Sequence, residues 1–597
     1  MLKLWQNRFF ATAFFGSLAT VLAFDVLWCL STSFKGLGIV QTYVSAVILA
    51  LLMALPSLLW RRRWPVAVVL TVADLLALAN LMYCRTYLAP IPPASYLLVD
   101  NVVQFGDAVF GSLRLYDLIF PAITFVTLML AHPCRKQPDR PRNLLGYGIL
   151  LGTSGIVMGV LSLFSGTPFA HIDRLKQDCY YHATPPVVYT LPVSLLHDAL
   201  ESSASVSEAD RREAVEWLRQ TTKIPAADDT ARYKPGSIVF IIVESLEAWP
   251  LNATVEGKPI TPNLNRLTAD TATTWVATRV LSQVGPGRSI DGQLLMTAGL
   301  RPMDDLVYSM VYPSNNYPHL SKVFKASGGE CSYILSGDRA TAWNEGAVAV
   351  SFGIDERLFR DAWDNTESFG RPRVPSDGSL LRQITDKMKQ GDIWPTGEKA
   401  FVEVVTYSCH FPFNIPAEFR TIALKDKYPE YLDGYITAVN YTDAAIGRFV
   451  DYIQSRPDAD STMIVIAGDH EALGTMRNGM RDYSPLMASL VGGPYVPLII
   501  LNAPVPGRRD AVMGQVDVYP TVLHQAGLAG RTAAPTLDAA AFQGLGIPAL
   551  SPVSPSYATD IAGTLYGDTT GADPAILRRV LTAPRISRTI IQADMFR

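Results

Sequence analysis

The chain has 597 residues, 49% of them hydrophobic and only 18% charged, an oily balance for one soluble enzyme. At about 150 residues per domain it is also too long for a single unit. Its formal net charge of -3 leaves no basic field for a nucleic-acid partner.

Five apolar segments come first, at 9–30, 39–59, 65–84, 115–131 and 144–164. Each is near the roughly 20 residues that a helix needs to cross hydrocarbon. The first is too long for a removable signal peptide and lacks an A-x-A cleavage pattern. The flanking charges alternate. Lys3 and Arg8 precede the first segment, Arg61, Arg62 and Arg63 separate the second from the third, and Arg135, Lys136, Arg140 and Arg142 separate the fourth from the fifth. The other short loop carries only Lys35. This excess of positive charge on alternate sides predicts a cytoplasmic N-terminus, and five crossings then put everything after residue 166 outside. Asp25 and Asp74 lie within the segments, where a carboxylate costs about 2.5 kcal/mol or more. Two isolated acids read as contacts between helices ahead of an ion path. The stretch 85–114, with Pro90, Pro92 and Pro93, reads as an outer loop with an amphipathic helix on the membrane surface. Such a helix would either help hold a lipid or pack between spans.

Residues 166–234 read as a linker. Within it, 207–220 places Ala214, Trp217 and Leu218 at the i, i+3, i+4 spacing of a short amphipathic helix. The following KIPAADDTARYKPG is a loop by composition. The expected division is therefore a transmembrane domain over 1–165, a linker over 166–234 and an extracytoplasmic catalytic domain over 235–597. Three of the six cysteines, Cys179, Cys331 and Cys409, fall outside the membrane on this reading. Their spacing permits one disulfide without specifying it, and no CxxC pair is present.

From residue 237 the pattern changes. Ser237–Val243 is a continuous β-branched and aromatic run, as are 401–406, 463–467 and 497–501, and all four read as buried parallel strands. Helical stretches between them predict a doubly wound α/β domain. Glu244 follows the first run at once, SCHFPF with His410 follows the second, and GDH with Asp469 and His470 follows the third. Ligands in such sheets bind beyond the carboxyl ends of the strands, so these side chains should converge on one edge. The segment GPGRSIDGQLL over 285–295 adds a serine, Ser289, at a helix start, with Arg288 beside it. An anion such as phosphate is favoured there.

Two carboxylates, an imidazole and a hydroxyl give three oxygens and one nitrogen, a set that suits Zn2+ or Mn2+ better than Ca2+. A bound cation would lower the pKa of the serine hydroxyl and make it a nucleophile. No Walker loop is apparent, and a site outside the membrane has no access to cytosolic ATP. The phosphoryl donor should then be something already outside, most simply a lipid. Trp343 and Trp249 read as core residues, and His319 in YPHLSKVF as a helix residue without chemistry.

The motifs IIVESLEAW, TPNLNRL, GPGRSIDGQ, WNEGAVAVSFGID, HFPF, IAGDHE and QVDVYPTVL occur in the order found in the sulfatase-like branch of the alkaline phosphatase superfamily. With five spans ahead of them, the chain resembles the lipoteichoic acid synthase family of phosphoglycerol transferases. The resemblance is strongest over 237–525. It implies a five-helix transmembrane domain and an extracytoplasmic sulfatase-like α/β domain with a central, mostly parallel sheet. It also implies one Mn2+ or Zn2+ held by Glu244, Ser289, Asp469 and His470. His410 would bind substrate and give a proton to the leaving group, while Asp338 and Trp343 would line the head-group pocket. Ser289 replaces the usual threonine. Glu345 stands where the family has an arginine, and a family serine is replaced around Gly474–Thr475. An acid in the place of Arg would repel an anionic group and welcome an ammonium.

The expected activity is transfer of a phospholipid-derived head group, phosphoglycerol favoured, from a phospholipid donor to an envelope glycan or lipid acceptor through a covalent Ser289 intermediate. The expected location is a bacterial cytoplasmic membrane. Phosphoethanolamine transfer is one alternative, and a phosphodiesterase or sulfatase-like hydrolase is another. Typical sulfatases mature a C/S-x-P-x-R site to formylglycine, but here Ile290 and Asp291 follow Ser289, so that signal is missing. A non-catalytic lipid or glycan receptor is the remaining alternative.

Overall fold

The computed structural model describes residues 2–31, 40–60, 62–87, 113–132, 140–163, 206–219, 231–304, 307–369, 374–422, 424, 428–472, 493–528 and 556–597. Most of the 85–114 loop, most of the linker, Cys179 and the Gly474–Thr475 position lie outside these residues. The described residues up to 163 form one unit and those from 206 onward another.

The first unit contains helices α1 (Arg8–Ser31), α2 (Val40–Leu59), α3 (Trp64–Tyr87), α4 (Ile119–Leu130) and α5 (Arg140–Leu163). Among the described residues, three stretches are long and apolar enough to cross a membrane: Arg8–Trp28, Trp64–Met82 and Pro141–Leu161. Tyr43–Leu59 and Leu115–Leu130 are shorter apolar helices. The unit is apolar outside and holds several polar side chains among the apolar residues of its interior. Val68, Val72, Leu75, Phe125, Val126 and Ile156 are exposed, while Asp25, Asp74, Asn80 and Asn143 are buried. That inversion suits a hydrocarbon surrounding. Asp74 is buried beside Thr124 of α4, in keeping with a contact between helices. Gly16 lets α1 approach α4 closely, since a Cβ there would stand 2.2 Å from Thr127 Oγ1.

The second unit begins with helix α6 (Glu208–Arg219), which packs on α10 (Pro574–Gln592). Its sheet is built from β1 (Ser237–Val243), β2 (Trp275–Leu281), β3 (Cys331–Ser336), β4 (Glu356–Leu358), β5 (Ala400–Val405), β6 (Thr462–Gly468), β7 (Tyr495–Leu501), β8 (Gly507–Arg509) and β9 (Met513–Gly514). The spatial order is β8-β2-β7-β6-β1-β5-β3-β4, with β9 beside β2. The core strands β6, β1, β5 and β3 are parallel neighbours.

β1 explains its own sequence. Ile238, Phe240 and Ile242 face one hydrophobic core, and Val239, Ile241 and Val243 face the other. A strand covered on both faces reads as a continuous apolar run. β7 departs from expectation: it runs antiparallel to both β2 and β6. A strand buried on both faces is apolar throughout whichever way it runs, so its pattern carries no direction. Three further helices position the site: α7 (Ser289–Ala298), α8 (Leu320–Ala326) and α9 (Glu430–Gln454). Cys331 and Cys409 are both free thiols.

Candidate metal centre and active site

Glu244 follows the last residue of β1, and Asp469 and His470 follow the last residue of β6. Because these strands are parallel neighbours, their carboxyl ends deliver the three side chains to one edge. One ligand atom from each lies within 4.8 Å of the others, and all three residues are buried.

The backbone around them is tightly held. Ser245 N donates to Asp469 Oδ1 at 2.7 Å, and Ser245 Oγ donates to Glu244 Oε1 at 2.6 Å. Asp469 N donates to Val243 O at 3.1 Å. A Cβ on Gly468 would stand 2.1 Å from Leu246 O, so only glycine lets the two strand ends approach this closely.

Ser289 arrives from α7 as its first residue. Its Oγ lies 3.2 Å from Glu244 Oε2 and 3.2 Å from His470 Nε2. The preceding Arg288 has a φ of +50°, a strained value for a residue with a Cβ, and it is fixed from its far end. Its guanidinium donates to Glu471 Oε1 at 2.6 Å and to Glu471 O at 2.7 Å. Burial would raise the Glu471 carboxyl, but the Arg288 charge and hydrogen bonds from Ser282 and Arg288 override it and hold the pKa down to about 2. The glycine loop is occupied internally: Gly285 N and Gly287 N both donate to Asp291 Oδ2. Two amides of the GPG turn therefore shape the loop that leads into Ser289 and are not on offer to an anion.

His470 Nδ1 lies 2.9 Å from Glu471 O, which makes Nδ1 the protonated nitrogen and leaves the Nε2 lone pair facing Glu244 and Ser289. Arg288 Nη2 also comes within 3.2 Å of Nδ1, but two donors meet there, and the Glu471 carbonyl is their shared acceptor. Burial, then the Arg288 charge, lowers the His470 pKa to about 4, so the imidazole is neutral. Asp469 is pushed the other way, first by burial and then by the facing Glu244 carboxylate. Asp469 Oδ2 has no hydrogen-bond acceptor role filled and lies 3.6 Å from His470 Nε2. Two buried carboxylates and a neutral imidazole converge on one point beside the Arg288–Glu471 pair, and this donor set fits a divalent ion.

The remaining expected residues stand on the same edge, on neighbouring strands. The loop after β5 is fastened to the centre, since Thr406 Oγ1 accepts from Glu244 N at 3.1 Å. It leads to His410, which is largely buried, with Nδ1 2.6 Å from Phe411 O. Asp338 follows β3 and accepts from Arg339 N at 2.7 Å. Trp343 has a φ of +48° and packs partly on the larger core. Trp249 packs against Tyr435, 5.8 Å between ring centroids. Glu345 is buried and accepts from Ser336 Oγ at 2.9 Å, and Ser336 Oγ lies 2.6 Å from Tyr407 OH. Glu345 is thus held at the end of β3 through Ser336, which also reaches Tyr407 beyond β5.

Direct contacts join Glu244, Arg288, Ser289, Asp469 and His470, whereas His410, Asp338 and Trp343 share their sheet edge by topology. Sequence reasoning missed Glu471, although it adjoins the Asp-His pair. It also missed Gln515, whose Nε2 donates to Asp469 O at 2.6 Å and whose Oε1 accepts from Gln283 N at 3.2 Å. Gln515 opens the QVDVYPTVL motif, and that was its only signal.

Residues 237–528 match the Sulfatase family. They form a sulfatase-like α/β domain. The chain is 25% identical to the lipoteichoic acid synthase of Staphylococcus aureus over 475 residues, 75% of this chain and 70% of that one. The Staphylococcus saprophyticus enzyme of the same name is 24% identical over 476 residues, with the same shares covered. A solved lipoteichoic acid synthase from Listeria monocytogenes superposes with a TM-score of 0.51 at 16% identity, over 64% of this chain and 98% of that one. The integral membrane lipooligosaccharide phosphoethanolamine transferase A of Neisseria meningitidis gives 0.54 at 14% identity, over 87% and 94%. These two likenesses establish the fold. The domain thus shares their α/β architecture, and its strand ends carry the candidate metal centre.

Proposed function

We propose that the chain is a membrane-anchored, metal-dependent transferase of phospholipid head groups, working through a covalent adduct on Ser289. The observation that carries this reading is the convergence of Ser289 Oγ on Glu244 and His470 at 3.2 Å. Glu244, Asp469, His470 and Ser289 would hold one Mn2+ or Zn2+, which lowers the pKa of a coordinated hydroxyl and neutralises phosphoryl oxygens. Ser289 Oγ forms a bond to phosphorus as the bond from phosphorus to the diacylglycerol oxygen breaks. The serine proton passes to solvent, and His410 gives a proton to the departing oxygen. In the second half an acceptor hydroxyl on an envelope glycan or lipid gives its proton to His410 and attacks phosphorus. The bond to Ser289 breaks, and the serine recovers a proton from solvent. Asp338 and Trp343 would line the head-group pocket.

The charge alternation supports five crossings, a cytoplasmic N-terminus and a catalytic domain outside a bacterial cytoplasmic membrane. The resemblance to lipoteichoic acid synthases favours phosphoglycerol as the transferred group. A second reading, phosphoethanolamine, is favoured by Glu345, since a buried carboxylate at this edge suits an ammonium.

The test uses the purified full chain with Mn2+ and vesicles of phosphatidylglycerol or phosphatidylethanolamine. Mass spectrometry should find a phosphoester on Ser289 whose added mass identifies the head group. Full transfer activity in a Ser289→Ala chain would end this reading.

A further inference from the structure

One turn along α7 from Ser289, a polar triad is sealed inside the sulfatase domain. Gln293 Nε2 donates to Glu403 Oε1. The other oxygen, Glu403 Oε2, lies 3.3 Å from His319 Nε2. Exposure is 3% for Gln293 and 0% for both Glu403 and His319. The backbone N–H of Ser321 donates to His319 Nδ1 at 3.1 Å, so the ring proton sits on Nε2, which lies beside the carboxylate without completing a hydrogen bond to it. Phe352 stacks on the ring at 4.3 Å and Phe401 meets it edge-on at 5.7 Å, which fixes its plane.

Glu403 is in the middle of β5, a central strand flanked by β1 and β3. A carboxylate there is costly, and an apolar residue of similar size would usually stabilise a sheet as well or better. What the carboxylate does that an apolar residue could not is reach α7 with a directional bond. Residues four apart lie on one face of a helix, so Gln293 controls the face that carries Ser289. The adjacent Gly292 abuts Asp469 so closely that its Cβ would stand 2.5 Å from Asp469 O. α7 is therefore stopped on one side and tethered on another. On a helical cylinder of about 2.3 Å radius, a rotation of about 20° moves a Cα by roughly 0.8 Å. Displacements near 1 Å cost about 100-fold in rate where groups must be aligned.

We propose that Glu403 is a positioning residue for Ser289: through Gln293 it fixes the rotation of α7, and His319 lies against the carboxylate on the opposite side. This rests on the reading of Ser289 as nucleophile.

The experiment compares Gln293→Glu, Glu403→Gln and their combination in the full chain in detergent. Gln293→Glu sets two carboxylates face to face, whereas the double variant exchanges donor and acceptor and restores the bond. Hydrogen exchange at 289–298 should quicken in Gln293→Glu, return in the double variant, and stay constant over 430–454. With Mn2+ and vesicles of phosphatidylglycerol or phosphatidylethanolamine, kcat for diacylglycerol release should fall about 30-fold in Gln293→Glu with KM unchanged. The double variant should recover to within about threefold of wild type. Should Gln293→Glu not fold, Gln293→Leu cuts the tether without adding charge, and the same quickened exchange and lower kcat are expected. Strictly additive losses, or exchange at 289–298 indifferent to all variants, would overturn the proposal. Wild-type kcat in Gln293→Glu beside a dead Ser289→Ala removes this proposal alone, and a fully active Ser289→Ala chain removes both readings.

Discussion

Gly292 lies so close beneath Asp469 that a Cβ added to it would stand 2.5 Å from the Asp469 carbonyl oxygen. The obstacle is backbone, so no side-chain rotation relieves it. Gly292→Ala should push α7 away from the end of β6 at a cost of about 1–3 kcal/mol. Ser289 and Asp469 travel on those two elements, so ion binding should suffer more than stability. Titration calorimetry with Mn2+ and Zn2+ checks this, and wild-type affinity in the variant would contradict it.

Arg288 and Glu471 form a mostly buried pair at 2.6 Å. Arg288→Met leaves the Glu471 carboxylate buried without its cation, which should cost about 3 kcal/mol or more. Removing both charges in Arg288→Met/Glu471→Met should recover most of that loss, because the desolvation penalty disappears with the pair. Denaturant melts of the four chains measure the coupling. A double variant no more stable than Arg288→Met would show that the pair is not what links these residues.

Glu345 carries the proposal of an ammonium head group. Glu345→Gln keeps an acceptor for Ser336 and removes the negative charge. On the phosphoethanolamine reading, the preference for phosphatidylethanolamine over phosphatidylglycerol should fall by about tenfold, the value of one charged hydrogen bond. Relative diacylglycerol release from the two kinds of vesicle gives the ratio, and an unchanged ratio would take Glu345 out of head-group recognition.

Asp560, outside the candidate metal centre, gives a pH dependence of its own. Burial raises its carboxyl from 3.8 to about 6 against the opposing hydrogen bonds from Thr564 and the charge of Arg301. The folded state therefore binds this proton more tightly than the unfolded chain. The resulting stabilisation is complete below about 3.8 and lost as pH rises through about 6. Asp560→Asn still offers an oxygen to Thr564 N and never carries the charge. It should exceed wild type by up to about 3 kcal/mol at pH 7.5, with the gap closing towards pH 5. Urea midpoints at pH 5, 6 and 7.5 measure the gap, and a gap independent of pH would refute the assignment.

The central strands were legible because burial on both faces writes an unbroken apolar run, as in β1. β2 and β3 were not singled out: Arg279 interrupts one and serines punctuate the other. The clustering of Glu244, Asp469 and His470 was legible because all three directly follow strong strands. The tether behind it was hidden for a physical reason. In AFVEVV, a lone Glu403 within a run read as a buried strand gives no sign of what it bonds, and its partner Gln293 is 110 positions away. His319 looked like an ordinary helix residue, but it caps α8 by accepting from Ser321 N and turns its other nitrogen to Glu403. Neither pairing leaves a periodic trace.

The chain enters the sulfatase domain through α6, and α6 is fastened to α10. Arg585 of α10 bonds Glu213 and lies 3.8 Å from Asp210, while Arg579 covers the Trp217 ring at 5.1 Å. A tug arriving along the polypeptide at Glu208 is therefore taken up by this clasp before it reaches β1. In mechanical terms the helix pair is a strain relief. Jostling from upstream is spent on a replaceable surface grip, and the strand that carries Glu244 is kept out of the load path.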